Sequence, residues 1–134
     1  MLTFRGGESD PKLLSPLDLA FVGDGVYELL VRSHLAAGGS RPVGKLHEMA
    51  VGMVRAEAQS EVYHLLEPVL TEEEAAVLKR GRNAHNTKAP RHTDPSQYRR
   101  ATGVEALFGY LYLMGKNERI EELFDLILAA SAEN

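Results

Sequence analysis

The chain has 134 residues, of which 44% are hydrophobic and 25% are charged, and its formal net charge is −4. These values are typical of one folded domain that buries about two-thirds of its unfolded surface. No apolar run has the length needed to span a bilayer or to form a secretory leader, so neither is expected. The absence of cysteine excludes disulfides and thiolate metal sites, and makes the cytoplasm the expected location.

The first predicted helix begins at a capping signal. Residues 1–14 have no apolar periodicity, and we expect a flexible arm there, followed by a single domain over residues 15–134. Ser15 is a favourable N-cap, and Pro16 suits the first helical position. A helix is therefore predicted from this point to about Leu35, with its end at the glycine pair that follows.

The helical pattern continues through the rest of the chain. Apolar residues at helical spacing between positions 46 and 66 predict one long helix or two abutting helices. Thr71 and Glu74 form a capping box, which opens a short helix that ends at Gly81. Two further helices are predicted, over residues 96–114 and 118–130. Since no segment has the pattern of a strand, the chain is predicted to be all-α.

Positive charge is concentrated in one segment. Between Lys79 and Arg100 there are seven basic residues and one acid, a net charge of +6, so the remainder carries −10. The seven are Lys79, Arg80, Arg82, Lys88, Arg91, Arg99 and Arg100. Residues 81–95 within this segment predict a long loop, because they have no apolar periodicity. Such a segment binds phosphate groups in some proteins and is only a solvated loop in others.

Asp24 occupies an unusual position in the first predicted helix. Steps of three and four residues place it, together with a second carboxylate, Glu28, on an otherwise apolar stripe that consists of Leu17, Phe21, Val31 and Leu35. The opposite side of the helix is also apolar, which predicts a position in the core. A buried carboxylate requires a cation, a donor or a metal, so Asp24 is a satisfied core acid, a solvent-facing break in the stripe or a functional group. The nearby Gly23 and Gly25 suggest close approach by a backbone or a ligand.

Glu105 repeats this anomaly in the predicted helix over residues 96–114. It shares an apolar face with Val104 and Phe108, and Gly109, one turn further on, would allow another helix to approach closely. If the two helices pack together, Asp24 and Glu105 could bind Mg²⁺ or Mn²⁺, which prefer carboxylate oxygens. A cation held in this way supports phosphodiester hydrolysis, and the basic segment would bind a phosphate-rich substrate.

Several segments resemble a known family of nucleases. Residues 19–26, LAFVGDGV, resemble the signature segment of ribonuclease III, and residues 101–113, ATGVEALFGYLYL, resemble its second catalytic helix. The small bacterial Mini-ribonuclease III proteins, which consist of the nuclease domain alone, are similar at residues 77–84, 87–90 and 105–113. Together these segments extend the resemblance over nearly the whole chain.

The resemblance implies an all-helical, homodimeric endonuclease of the ribonuclease III type that needs Mg²⁺ and cuts double-stranded RNA. The implied physiological substrate is the stem of precursor 23S ribosomal RNA. Asp24 and Glu105 match the family's catalytic, metal-binding acids. The positions that would contact RNA are Lys79, Arg80, Arg82, Asn83, Lys88 and Arg91. The nuclease domain over residues 15–134 is expected to act without a separate double-stranded-RNA-binding domain.

Two acids of the larger ribonuclease III enzymes are missing from this sequence. The signature glutamate falls at Ala20, and the aspartate of the second helix falls at Thr102. Water, Glu28 or Asp18 could complete the metal shell, although the expected role of Glu28 is a salt bridge to an arginine. Because two of the acids that would bind the metal are missing, a catalytically weak RNA-binding module of the same fold is an alternative function. An all-α nucleotide pyrophosphatase is a second alternative.

Overall fold

The computed structural model describes residues 10–84 and 89–132. Its helices are α1 (Pro16–Ala37), α2 (Val43–Val54), α3 (Ala56–Leu66), α4 (Glu72–Arg82), α5 (Pro95–Leu113) and α6 (Asn117–Ala132). Short 3-10 helices lie before α1, at Pro11–Leu13, and after α3, at Glu67–Val69. None of the described residues forms a strand, which confirms the all-α prediction. Within these residues, no helix combines the length and the apolar character that a membrane crossing requires.

Local capping interactions start α1 and α4 where the sequence predicts. The Ser15 hydroxyl accepts a hydrogen bond of 3.2 Å from the backbone N–H of Asp18. In the capping box, the Glu74 N–H donates to the Thr71 hydroxyl at 3.2 Å, and the Thr71 N–H donates to the Glu74 carboxylate at 2.9 Å. The turn after α1 contains Gly39 with φ of 124°, a conformation that favours glycine.

Two separate helices, α2 and α3, occupy the segment for which the sequence allowed one or two. Arg55 lies between them in an extended conformation, with φ of −62° and ψ of 156°, and ends one helix while starting the next. The Arg55 N–H still donates to the carbonyl of Val51 at 3.0 Å. The chain therefore turns sharply at one residue, and α3 packs against α5.

The predicted N-terminal arm is only partly within the described residues, since positions 1–9 lie outside them. The Asp10 carboxylate accepts a hydrogen bond of 3.0 Å from the Lys12 N–H and so caps the first 3-10 helix. Leu14, which follows, is partly buried against the core. The chain thus contacts the domain shortly before α1 begins.

Helix α5 is the centre of the fold, because α1, α3 and α4 all pack against it. Residues 106–111 are buried on every side, and Leu107, Phe108 and Leu111 have no exposed surface. The Phe108 ring makes an edge-to-face contact with Tyr27 of α1, with centroids 5.3 Å apart. A central helix of this kind can bury only short or apolar side chains, so the half-buried Glu105 is an exception.

The prediction that α1 carries its Asp24 stripe into the core is wrong for Phe21 and Asp24, although Val31 and Leu35 of the same stripe are buried. Phe21 is 84% exposed, and Asp24 is exposed as well. The buried face of α1 instead consists of Leu19, Ala20, Gly23, Val26, Tyr27, Val31 and Leu35. Both faces of α1 are apolar, so the sequence does not select between them. Packing against α5 covers only one of them and leaves Phe21 at the surface.

Candidate active site

Two glycines bring the backbones of α1 and α5 into direct contact. A Cβ atom on Gly23 would lie 1.6 Å from the carbonyl oxygen of Glu105, and one on Gly109 would lie 1.9 Å from that of Leu19. Real Cβ atoms do not approach carbonyl oxygens so closely, so only glycine fits at both positions. The close approach predicted for Gly23 is therefore confirmed, whereas a Cβ on Gly25 would meet no described atom within 4 Å.

This crossing places the carboxylates of Asp24 and Glu105 side by side. Asp24 is exposed and follows Gly23 directly, while Glu105 is half-buried and supplies the carbonyl at the crossing. Burial raises the pKa of Glu105 to about 8, and the hydrogen bond and negative charge of Asp24 contribute to the increase. Two adjacent carboxylates cannot both ionise easily, so Glu105 retains a proton at neutral pH when no cation is bound.

The two carboxylates face an open cavity of about 320 Å³ between α1 and α5. Ala20 and Thr102, where the larger enzymes have acids, also line this cavity and are 7% and 6% exposed. The Thr102 hydroxyl donates to the backbone carbonyl of Tyr98 at 2.9 Å, and as a neutral group it does not replace the charge of the missing carboxylate. Residues 10–84 and 89–132 contain no cluster of three or more histidine, aspartate or glutamate side chains placed to hold a metal.

The chemistry of this pair suits a hard divalent cation. Mg²⁺ typically retains several waters and is bound by one or two carboxylates together with substrate phosphates. Asp24 and Glu105 supply two carboxylates, and the open cavity leaves room for waters and a phosphate. A cation between them would also offset the repulsion that keeps Glu105 protonated. The side chains present therefore fit Mg²⁺ or Mn²⁺, with Asp24 and Glu105 as ligands.

The cavity that contains Asp24 and Glu105 would not be chosen as the functional site on its volume alone. A larger cavity, of about 480 Å³, lies between α3 and α6. Its lining is mostly apolar and includes a single carboxylate, that of Glu61. It lacks the paired acids that give the smaller cavity its chemistry.

Known proteins match the chain over most of its length. A family model described as the ribonuclease III domain matches residues 17–116. The Mini-ribonuclease 3 of Symbiobacterium thermophilum is 46% identical over 125 residues, which cover 93% of each chain. That of Brevibacillus brevis is 50% identical over 114 residues, or 85% of each chain. A crystal structure of a Fusobacterium nucleatum protein aligns with a TM-score of 0.83 and 31% identity, covering 90% of this chain and 99% of that one.

The chain belongs to the ribonuclease III family. The resemblance stated from the sequence is thereby confirmed, including the similarity to the Mini-ribonucleases. The family match spans both Asp24 and Glu105. Membership makes the chain an endoribonuclease, so the nucleotide pyrophosphatase alternative loses its support.

In this ribonuclease III fold, the predicted RNA-binding residues lie at the end of α4 and in the loop after it. Lys79 and Arg80 are exposed on the last turns of α4, and Asn83 is its exposed C-cap. Arg91 is exposed just before α5 begins. Lys88 lies outside the described residues. The structure thus exposes four of the predicted residues without testing whether they bind RNA.

Arg82 differs from its basic neighbours because its guanidinium group hydrogen-bonds other side chains of the protein. One guanidinium nitrogen donates to the Tyr63 hydroxyl at 2.7 Å, and another donates to the Asn83 side chain at 3.2 Å. The guanidinium carbon also lies 5.7 Å from the centroid of the Tyr63 ring. Arg82 therefore ties the end of α4 to α3, whether or not it also contacts RNA.

Glu28 has the partner that the sequence suggested. The Arg32 guanidinium donates to the Glu28 carboxylate at 2.9 Å, one helical turn away on α1. Glu28 does not line the cavity of Asp24 and Glu105. Asp18, the other acid considered as a ligand, lies exposed in the first turn of α1 and is absent from the cavity lining as well.

The sequence reasoning missed Gln59, a polar residue near the carboxylate pair. Its side chain is only 3% exposed, its amide donates to the backbone carbonyl of Val54 at 2.7 Å, and it lowers the pKa of the nearby Glu105 against the effect of burial. A helical stripe was available as a signal, because Gln59, Val62, Tyr63 and Leu66 follow steps of three and four and are all buried. An amide on such a stripe needs a polar partner in the core, but nothing in the sequence names that partner.

Proposed function

We propose that the chain cleaves double-stranded RNA in a reaction that depends on Mg²⁺, or alternatively Mn²⁺, held by Asp24 and Glu105. The observation that supports this proposal is the carboxylate pair at the α1–α5 crossing, where the described residues place no basic group in contact with Glu105. An acidic pair in an open cavity has a clear use in an endoribonuclease, because Asp24 and Glu105 would hold a divalent cation that would offset charge on the substrate phosphate.

Each part of the site has a role in this mechanism. When bound, the metal lowers the pKa of an attacking water and offsets the charge that develops on the phosphodiester. Asp24 and Glu105 hold it from two different helices, so the rigid glycine crossing determines their separation. Glu105 would have to lose its proton in order to hold the cation. Because the pKa of Glu105 is about 8, that loss would depend on the presence of the cation near neutral pH. Lys79, Arg80 and Arg91 are exposed and would bind the RNA backbone.

The test measures cleavage of a long duplex RNA in Mg²⁺, and binding of the same RNA in Ca²⁺. Asp24→Asn and Glu105→Gln should each reduce cleavage by roughly 10²–10³-fold or more, as expected for lost stabilisation of transition-state charge. Both variants should still bind RNA in Ca²⁺. Glu28→Gln is the matched control, because Glu28 is a carboxylate on α1 that pairs with Arg32, and it should cleave normally.

Two results would contradict the proposal. Metal-dependent cleavage that survives Asp24→Asn would exclude the carboxylate pair as the metal site. Loss of RNA binding in parallel with loss of cleavage in Glu105→Gln would indicate a folding role for Glu105.

The proposed enzyme is a homodimer, since one site cuts one strand and a duplex has two. Phe21 supports this part of the proposal, because it is 84% exposed on the wall of the same cavity as Asp24. An exposed phenylalanine in this position is a good candidate for an interface between two copies. Sedimentation should give a dimer, and Phe21→Ser should shift it toward the monomer. A wild-type monomer at working concentration would count against paired cleavage.

The proposed substrate is the stem that joins the ends of precursor 23S ribosomal RNA, and the proposed location is the cytoplasm. The substrate is the one that the resemblance to Mini-ribonucleases implies, and the location rests on the absence of cysteine. A precursor stem should be cut at one or a few positions, and much faster than an unrelated duplex of equal length. Equal rates on both RNAs would leave general cleavage of double-stranded RNA as the activity.

A further inference from the structure

Two arginines of the basic segment are held by neighbouring hydroxyl groups on α3. Arg100 of α5 donates from its Nε to the Ser60 hydroxyl at 2.6 Å. Arg82, at the end of α4, donates to the Tyr63 hydroxyl at 2.7 Å and to the Asn83 side chain at 3.2 Å. Ser60 and Tyr63 are three positions apart on one helix, so they are neighbours on the same face. Helix α3 therefore draws one arginine from α4 and one from α5 toward the same place.

Close packing around Gly103, one turn after Arg100 on α5, supports this convergence. A Cβ atom on Gly103 would lie 3.2 Å from the backbone nitrogen of Arg82 and 3.4 Å from the Tyr63 ring. The Arg82 guanidinium carbon lies 5.7 Å from the centroid of the same ring. Burial raises the pKa of the Tyr63 hydroxyl, and the positive charges of Arg82 and Arg100 both oppose that rise. The two guanidinium groups therefore lie around one tyrosine ring.

The hydroxyl groups do not balance the charges of the arginines that they hold. Ser60 and Tyr63 are neutral and buried, while both arginines are half-buried. Among the described residues, neither Arg82 nor Arg100 forms an ion pair with a carboxylate, although the charge of Glu67 reaches Tyr63. Arginine stays protonated in proteins, so loss of a proton cannot relieve the repulsion between these two charges. An anion bound to both guanidinium groups would relieve it.

The donors that remain on these arginines suit a phosphate group. A guanidinium has five N–H donors, and Arg100 uses one of them within the described residues. Parallel N–H groups of a guanidinium match two oxygens of one phosphate, which a lysine cannot do. Because the hydroxyl groups of α3 already fix both side chains, little conformational entropy is left to lose when the phosphate binds.

We propose that Arg100 and Arg82 together bind one phosphate of the RNA backbone, away from the bond that is cut. The resemblance to Mini-ribonucleases implied RNA contact for Arg82 but assigned nothing to Arg100. Arg100 precedes Glu105 on α5 by about 7.5 Å along the helix axis, and it contacts α3 instead of lining the cavity. The phosphate bound by Arg100 is therefore a different one from the phosphate at the carboxylate pair. This inference rests on the proposed binding of double-stranded RNA.

The experiment measures the affinity for a duplex RNA in Ca²⁺ over a range of salt concentrations. Arg100→Gln should weaken binding and reduce the slope of log affinity against log salt by about 0.7–0.9, the value for one lost phosphate contact. Arg32→Gln is the matched control, because it removes the same charge from an arginine that pairs with Glu28 at 2.9 Å. Its slope should equal that of the wild type. Ser60→Ala keeps the charge of Arg100 but frees the side chain, so the affinity should fall while the slope stays unchanged.

A double variant tests whether the two arginines share one phosphate. Arg82→Gln and Arg100→Gln combined should weaken RNA binding by less than the product of their separate effects, since groups with a common partner are not additive. Fully additive losses would place the two arginines on separate phosphates and overturn the shared site.

An unchanged salt slope in Arg100→Gln would overturn the inference and leave Arg100 as a structural link between α5 and α3. An equal reduction in Arg32→Gln would overturn it as well, because net charge alone would then explain the effect. If Arg100→Gln does not fold, Ser60→Ala decides, and wild-type RNA affinity in that variant would count against the site. A wild type that does not bind duplex RNA would instead refute the proposed function, so the two failures are distinguishable.

Discussion

Glu74 and Glu105 are both glutamates on largely buried helix faces, yet their surroundings are opposite. Glu74 accepts two hydrogen bonds from Arg119, of 2.8 and 2.9 Å, and one from the Thr71 N–H. Burial raises its pKa, but the hydrogen bonds from Arg119 and Thr71 outweigh burial and bring the pKa below its ordinary value. Burial also raises the pKa of Glu105, and there Asp24 adds to the increase.

The difference shows how the chain separates structural acids from functional ones. Arg119 gives Glu74 an internal counter-ion, which joins α6 to the start of α4 and stabilises the fold. Glu105 has another acid where Glu74 has an arginine. On the proposed function, its charge would be offset by a cation from outside the chain. Burial of a carboxylate therefore does not by itself reveal its role, whereas the sign of its neighbour does.

The largest effect is expected from breaking the contact that creates the acidic pair. Gly109→Ala places a methyl group against the Leu19 carbonyl and should lower the free energy of unfolding by about 3 kcal/mol or more. Gly25→Ala is the control in α1, where the added methyl meets no described atom, and it should raise stability by about 0.5–1 kcal/mol. Urea denaturation measures both. Wild-type stability in Gly109→Ala would mean that the helices do not touch there.

A comparable loss of stability is expected when Glu74 loses its counter-ion. Arg119→Leu leaves Glu74 buried without a counter-ion and should cost roughly 3 kcal/mol in urea denaturation. Glu122 also pairs with Arg119 but is exposed, so Glu122→Gln should cost less than about 1 kcal/mol. Adding Glu74→Gln to Arg119→Leu should restore part of the loss. Equal costs for Arg119→Leu and Glu122→Gln would mean that the buried pair has no special role.

The two glutamates should give opposite pH dependences in metal-free protein. Glu74 has a lowered pKa, so its stabilising contribution is present above its ordinary value of 4.5 and is lost in more acidic solution. Glu105 has a raised pKa, so its contribution is present below 4.5 and is lost as the pH rises through about 8. At about 1.4 kcal/mol per pKa unit, the shift from 4.5 to about 8 corresponds to about 5 kcal/mol at most. Water that enters the open cavity screens part of this, so Glu105→Gln should be about 1–3 kcal/mol more stable than wild type at pH 9.

Urea denaturation between pH 5 and 9, in the presence of a chelator, tests this dependence. Mg²⁺ should recover the alkaline loss in the wild type and have little effect on Glu105→Gln. The same alkaline slope in both proteins without metal would show that Glu105 is not the group responsible.

The smallest effects are expected at two arginines of the basic segment, which differ in whether the protein itself binds the side chain. Arg82 is bound by Tyr63, so Arg82→Gln should cost about 1 kcal/mol of stability. Arg80 is exposed, and its one described hydrogen bond is a long one of 3.4 Å to the Leu14 carbonyl, so Arg80→Gln should not alter stability. If Arg80 binds a phosphate, its loss should reduce the slope of log affinity against log salt by about 0.7–0.9. An unchanged slope would remove Arg80 from the RNA interface.

Much of the secondary structure could be predicted because its signals are local. Ser15 and Thr71 cap the helices that follow them, and the capping hydrogen bonds join residues three positions apart. The sequence around Arg55, which is extended between α2 and α3, indicates a helix end only weakly, so either one helix or two could be predicted. The buried face of α1 was predicted wrongly, because Phe21 and Val26 are equally apolar and only the position of α5 distinguishes them.

The sequence by itself determined the helical class, the caps, the basic segment and, through the family motif, the two acids. Only the tertiary structure decided which side chains meet. It put Asp24 against Glu105 at a glycine crossing, brought Arg119 to Glu74 from 45 residues away, and buried Gln59 beside the acidic pair. Hydrogen bonds within a helix turn follow from sequence spacing, whereas the partner of a buried charge depends on how whole helices pack.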